Sequence, residues 1–134
     1  MNIKLDSDTI SSMNVFSDVT SVAPRDCINS ADKIIFIVNQ GQAGIAIGKN
    51  GAKTKMLQDL LKKEILIIEY SDDPVKFLEN VLWPNKLVSG YIASDAEDGK
   101  KLEASIHGKV SGSKLKLAKT LMQRYFNIMR INIR

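Results

Sequence analysis

The chain is poor in the residues that rigidify or specialise a protein. It has one cysteine, Cys27, one histidine, His107, one tryptophan, Trp83, and three prolines in 134 residues. A single cysteine excludes an internal disulfide and a cysteine-rich zinc site, and it fits a reducing compartment. A lone histidine has no companions for a metal centre and no Ser–His–Asp or Cys–His arrangement around it. Asp72 and Asp73 resemble a metal pair, but Pro74 behind them makes helix capping the simpler account. Long apolar runs are missing too: Ile34–Val38 and Ile65–Ile68 are far too short to span a bilayer. The first residues are polar (Asn2, Lys4, Asp6, Asp8) and show no apolar signal segment. These absences point to a soluble, cytoplasmic protein without cofactor, metal, small-molecule substrate or membrane partner, and nothing in the chain supports catalysis. Aromatics make up only 6%, while hydrophobic residues reach 44%, so the core must be largely aliphatic.

What is present is unevenly spread. The formal charge of +4 arises entirely beyond residue 70, because residues 1–70 carry eight basic and eight acidic side chains. Two stretches are almost purely basic: Gly48–Lys63 has five lysines against Asp59, and Lys109–Arg134 has seven basic residues and no acid. A basic run is usually a solvated face; two in comparable places are harder to dismiss.

Hydrophobic periodicity divides the chain into two similar halves. Asp6 is placed to cap a helix to about Ser17, with Ile10, Met13 and Phe16 on one face. Arg25–Ile28 reads as a short extended segment, Asp32-Lys33 as a turn, and Ile34–Val38 as a buried strand. After a glycine-rich segment, Ala52–Leu61 returns to helical spacing with Met56, Leu57, Leu60 and Leu61 inward. Glu64–Tyr70 is another strand. The order then restarts. Asp73-Pro74 opens a helix to about Trp83, stopped by Pro84. Two strands follow (86–94 and 101–106) around an Asp98-Gly99 turn. Ser113–Phe126 is a helix with Leu117, Ala118, Leu121, Met122 and Tyr125 inward, and residues 129–133 form a last strand. The halves, 1–70 and 71–134, are an internal repeat. No flexible linker separates them, and Trp83 is placed by this pattern in the packing between them rather than in water, where it would stack a base.

The glycine segment Gly44-Ile45-Ala46-Ile47-Gly48-Lys49-Asn50-Gly51 admits three readings. A phosphate-binding P-loop fails, because only three residues separate Gly44 from Gly48-Lys49 and Asn50 stands where a hydroxyl must hold magnesium. A plain turn between helices is the second. The third is an RNA-backbone clamp, in which Gly48 and Gly51 let phosphates approach the main chain and the next helix offers free N–H groups. There Lys49 and Asn50 supply a cation and an amide, Lys53 and Lys55 add charge, and Ile45 and Ile47 floor the unstacked bases. A Gly-x-x-Gly turn of this kind is the signature of KH domains.

The element order resembles the type II, prokaryotic-style KH fold. Three phrases, Arg25-Asp26-Cys27-Ile28, Ile47-Gly48-Lys49-Asn50-Gly51 and Glu69-Tyr70-Ser71-Asp72-Asp73-Pro74, resemble the small archaeal NusA-like transcription factors. The resemblance implies an α+β fold of two tandem type II KH units, each helix–strand–strand–helix–helix–strand with a three-stranded sheet covered by helices on one face. It implies a single-stranded RNA-binding protein acting in transcription elongation, termination or antitermination, with RNA polymerase as a further partner that no segment of the chain itself supports. The second half departs from the pattern. Ser105-Ile106-His107-Gly108-Lys109-Val110-Ser111-Gly112 lacks the glycine spacing and leaves no room for the preceding short helix. Its clamp is expected to be damaged, with Lys109, Gly112, Lys114, Lys116 and Lys119 as secondary RNA contacts. A KH-like scaffold that docks on polymerase or ribosome, with incidental RNA contact, is the alternative.

Overall fold

The computed structural model describes residues 7–95 and 99–134, so Asp6 and Asp98, expected as a helix cap and a turn residue, lie outside the described residues. The chain divides into two compact units, residues 1–70 and 71–134.

In the first unit, helix α1 (Ser7–Thr20) leads to strands β1 (Asp26–Asn29) and β2 (Lys33–Val38). A short helix α2 (Ala43–Ile47), a tight turn (Lys49–Gly51), helix α3 (Ala52–Leu61) and strand β3 (Glu64–Glu69) follow. The sheet order is β1-β2-β3, with β1 antiparallel and β3 parallel to β2. The β-branched run 34–38 is therefore the central strand, buried along almost its whole length. One sheet face, carrying Cys27, Ile34, Phe36, Val38 and Ile65, packs with Phe16, Ala46 and Leu57 of the helices. Phe16 and Phe36 stack with ring centroids 4.3 Å apart. The alternate residues Ile35, Ile37 and Ile68 are buried as well, so this sheet is apolar on both faces rather than on one.

Two helix faces differ from the periodicity reading. In α1 the buried set is Thr9, Ser12, Phe16 and Thr20, while Ile10 is exposed. Small side chains at Thr9, Ser12 and Thr20, in steps of three and four residues, flank Phe16, which supplies the bulk, and Met13 packs partly buried against the same core. The helix also runs beyond Ser17 to Thr20, whose hydroxyl donates to the Phe16 carbonyl at 2.7 Å. In α3 only Leu57 is buried; Met56 and Leu60 are exposed and Leu61 is half-buried. A ten-residue helix on a small sheet has room to bury a narrow stripe only.

The second unit is α4 (Pro74–Leu82), β4 (Leu87–Asp95), β5 (Gly99–Ile106), α5 (Gly112–Phe126) and β6 (Ile128–Ile133). Its sheet repeats the first, order β4-β5-β6, antiparallel then parallel. A single helix joins β5 to β6, so the helix–helix pair expected in both units occurs only in the first. Asp73 caps α4, its carboxylate accepting from the Val75 amide at 3.0 Å, with Pro74 in the first turn. Phe77, Leu78, Val81 and Leu82 form the buried stripe of α4, and Phe77 meets the edge of Tyr125 at 5.6 Å. Trp83 does not join them. It ends the helix in extended backbone and is 66% exposed, which corrects the expectation of burial.

Candidate nucleic-acid interface

The Gly48–Gly51 turn is held open by backbone geometry that side chains other than glycine resist. Gly48 has φ 79° and Gly51 φ 73°, both in the half of conformational space that glycine enters freely. Asn50, at φ 57°, is one of the residue types that tolerate the left-handed region. At Gly48 a Cβ would also meet Lys53 Cγ at 2.9 Å, whereas at Gly51 it would meet nothing within 4 Å. The two glycines thus differ. Gly48 is crowded from inside, and Gly51 faces the open space a ligand backbone would need.

Gly51 is the N-cap of α3 and offers no side chain; the Ala52 amide donates back to the Lys49 carbonyl, and the next amides of the helix have no side-chain cap and carry the positive end of its dipole. On one flank runs an open groove of about 490 Å³, lined by Ile47, Asn50, Gly51, Thr54, Lys55 and Gln58, and by Ile65 and Ile67 of β3. Its wall is apolar at Ile47, Ile65 and Ile67 and polar along α3. Strand β3 lies at the sheet edge, where backbone groups are open to a partner. The Ala43 amide donates to the Glu69 carboxylate at 3.3 Å, tying the start of α2 to the end of β3 and so fixing the groove's two sides.

The groove therefore brings together Ile47, Asn50, Gly51 and Lys55 of the expected set. Lys49 is exposed beside it, between the two glycines. Ile45 is 52% exposed and is not part of the lining. Lys53 is engaged in the fold: its ammonium donates to the carbonyls of Thr20 (3.3 Å) and Ile45 (3.1 Å), which clips α3 to the ends of α1 and α2. Thr54, Gln58, Ile65 and Ile67 were missed by the motif. The signal that could have found them is the i, i+3, i+4, i+7 spacing from Gly51, and strand alternation from Ile65.

In the second unit, β5 ends at Ile106 and α5 begins at Gly112, and no helix intervenes. Ser111 caps α5, its hydroxyl accepting from the Lys114 amide at 3.3 Å, so the helix end left bare in the first unit is closed here. Gly112 is the first residue of α5 rather than a loop glycine; Gly108, at φ 78°, makes the turn. Lys109, Lys116 and Lys119 are exposed. Lys114 donates to the Trp83 carbonyl, the counterpart of the Lys53 clip.

A comparison with known families matches residues 13–86 to the KH domain. The chain belongs to the KH domain family. Curated relatives match most of the chain, which spans from about half to nearly all of their own length. A protein of Methanocaldococcus jannaschii named "Probable transcription termination protein NusA" is 28% identical over 98% of this chain and 75% of its own length. Proteins of the same name are 34% identical in Methanococcus vannielii, over 73% of this chain and 57% of that protein, and 24% identical in Thermoplasma acidophilum, over 98% and 96%. Among solved structures, the crystal structure of APE1850 superposes with a TM-score of 0.78 at 25% identity, covering 97% of this chain and all of that one. The KH match spans the Gly48–Gly51 turn and the groove beside it. The phrases at Arg25 and Tyr70 meet in the fold, the Arg25 guanidinium lying 3.8 Å above the Tyr70 ring. Among the described residues no cluster of three or more His, Cys, Asp or Glu could hold a metal ion, and no helix is long and apolar enough to cross a membrane.

Proposed function

We propose that this protein binds single-stranded RNA through the first unit and acts in transcription elongation or termination. The observation that carries the reading is the uncapped N-terminus of α3 behind the Gly48–Gly51 turn, opening onto a groove with one apolar and one polar wall. Phosphates would lie against the turn, Lys49 and the first amides of α3, while bases would rest on Ile47 and Ile67 with Asn50 and Gln58 at their edges. The fixed Lys53 shapes the turn, and Lys55 supplies the mobile cation. The names of the relatives support the transcriptional role, and RNA polymerase is the further partner that this reading proposes.

Residues 71–134 form, on this reading, a second type II KH unit in tandem. It keeps the sheet topology and has lost the short helix and the Gly-x-x-Gly spacing, so its lysines 109, 116 and 119 would hold phosphates as point charges. The competing scaffold reading is favoured by that loss and by the exposed Met56 and Leu60. Anisotropy titration of a short unstructured RNA decides between them. Binding should weaken with salt by about 0.7 log units per phosphate contact per log unit of salt. It should be abolished in a folded Lys49→Asp, Asn50→Asp variant. Equal binding by that variant would remove the first unit as the clamp. Absence of RNA binding, with a protein partner retained after nuclease treatment, would establish the scaffold.

A further inference from the structure

The chain's one tryptophan is placed as no packing residue of the second unit is. Trp83 is 66% exposed although four apolar residues of α4 that precede it, Phe77, Leu78, Val81 and Leu82, are buried. An indole is among the side chains that gain most from leaving water. Here the backbone at Trp83 turns out of the helix (φ −47°, ψ 137°) and takes the ring off the buried stripe.

That turn is also pinned from several sides. The Lys114 ammonium donates to the Trp83 carbonyl. The Asn85 amide N–H donates to Leu82 at 2.9 Å, and its side-chain amide donates to the carbonyls of His107 (3.1 Å) and Lys109 (3.5 Å). The His107 amide closes the set on the Lys86 carbonyl at 3.3 Å. The turn bearing Trp83 and the 107–111 loop, which stands where the first unit has its clamp, are therefore stitched into one surface. That surface holds an exposed indole and the exposed Lys109, and neither the loop nor α5 contains an acidic residue.

We propose that Trp83 is a base-stacking platform of the second unit, taking one nucleobase of a single-stranded RNA on its ring while Lys109 holds an adjoining phosphate. The inference rests on the RNA-binding reading above. It gives the second unit a means of contact that needs no Gly-x-x-Gly turn. Every base has a π-face, so contact here would tolerate any sequence, with the purines stacking most strongly. The indole is a rigid partner with two side-chain torsions to fix, on a backbone the hydrogen bonds already hold. Lys114 is a positioning residue in this arrangement, because its ammonium is used on the Trp83 carbonyl.

Since Trp83 is the sole tryptophan, its emission reports this site in the unmodified full chain. Titration with a short oligoadenylate should quench it, with the midpoint found by anisotropy of the same RNA. An abasic ribose-phosphate chain of equal length should leave it unchanged. Trp83→Ala should weaken oligoadenylate binding by about 5- to 100-fold, the range that loss of one stacked base gives, and Trp83→Phe should recover most of it. Emission that stays constant while anisotropy saturates would overturn the platform and leave RNA binding standing. Absence of any anisotropy change with RNA would overturn both. Quenching by a protein fraction that survives nuclease, with none by RNA, would make Trp83 a protein contact instead.

Discussion

Gly48 and Gly51 sit three residues apart in the same turn, yet the structure asks different things of them. At Gly48 an added methyl group meets a left-handed backbone and the Lys53 side chain at 2.9 Å together. Gly48→Ala is expected to lower stability by about 1–3 kcal/mol in chemical denaturation. Gly51→Ala carries the backbone cost of about 1 kcal/mol alone, and its larger effect should be on RNA affinity, because its Cβ enters open space. Equal stability losses would show that Lys53 does not crowd Gly48. The lysines divide in a similar way. Lys53→Met removes the clip to the Thr20 and Ile45 carbonyls and should cost about 1–2 kcal/mol of stability. Lys55→Met, on the groove wall, should leave stability within about 0.5 kcal/mol and weaken RNA binding. Thermal unfolding and anisotropy on the same two variants separate the roles. At this scale the motif was legible as a set of residue types. It could not distinguish a lysine that holds the turn from one that faces a ligand, because that depends on which carbonyls α1 and α2 bring within reach.

Elements show where local rules hold and where packing overrides them. Asp73-Pro74 is a cap wherever it occurs, and Asp73→Ala should cost about 1 kcal/mol by losing the bond to the Val75 amide. The alternation along β5 puts Leu102 and Ala104 inward and leaves Lys101 and Glu103 on the opposite face. There the Lys101 ammonium bonds the Glu103 carboxylate at 2.9 Å. This bond above all, with help from Asn132, holds the Glu103 carboxyl below the ordinary carboxylate range. A carboxyl lowered in the folded state favours folding when ionised. Its contribution is complete above the unfolded value of about 4.3 and is lost as pH falls through the lower folded one. Glu103→Gln should therefore lower stability slightly at neutral pH and leave it unchanged at acid pH, which flattens the acid limb of the stability–pH curve; an unchanged acid limb would remove Glu103 from it. Helix faces were the less legible part. Three-residue spacing named Ile10, Met13 and Phe16 in α1; Phe16 is buried and Met13 packs against the core, but Ile10 is exposed and the small Thr9 and Ser12 are buried in its place.

At the scale of the molecule, charge and topology are distributed differently. The two units share strand order and pairing, but the whole net charge belongs to the second. Lys116 and Lys119, exposed on α5, make no salt bridge among those described. If both hold phosphates, replacing them with glutamine should leave the fold intact and reduce the salt slope of RNA binding by about 1.4. An unchanged slope would confine electrostatic contact to the first unit and Lys109.

The amino-acid sequence by itself determined the repeat, the two sheets' strands, the Asp73 cap and the Gly48–Gly51 turn. Each of these depends on residues close in the chain: β-branched runs, a proline behind an aspartate, glycines where φ must be positive. Tertiary structure alone decided the rest. Strand β3 became the far wall of the groove because parallel pairing with β2 carries it there. Lys53 and Lys114 became clips because helices distant in sequence end beside them. Trp83 was left in water because α4 ends at Leu82 and its backbone turns the next side chain away from the buried stripe.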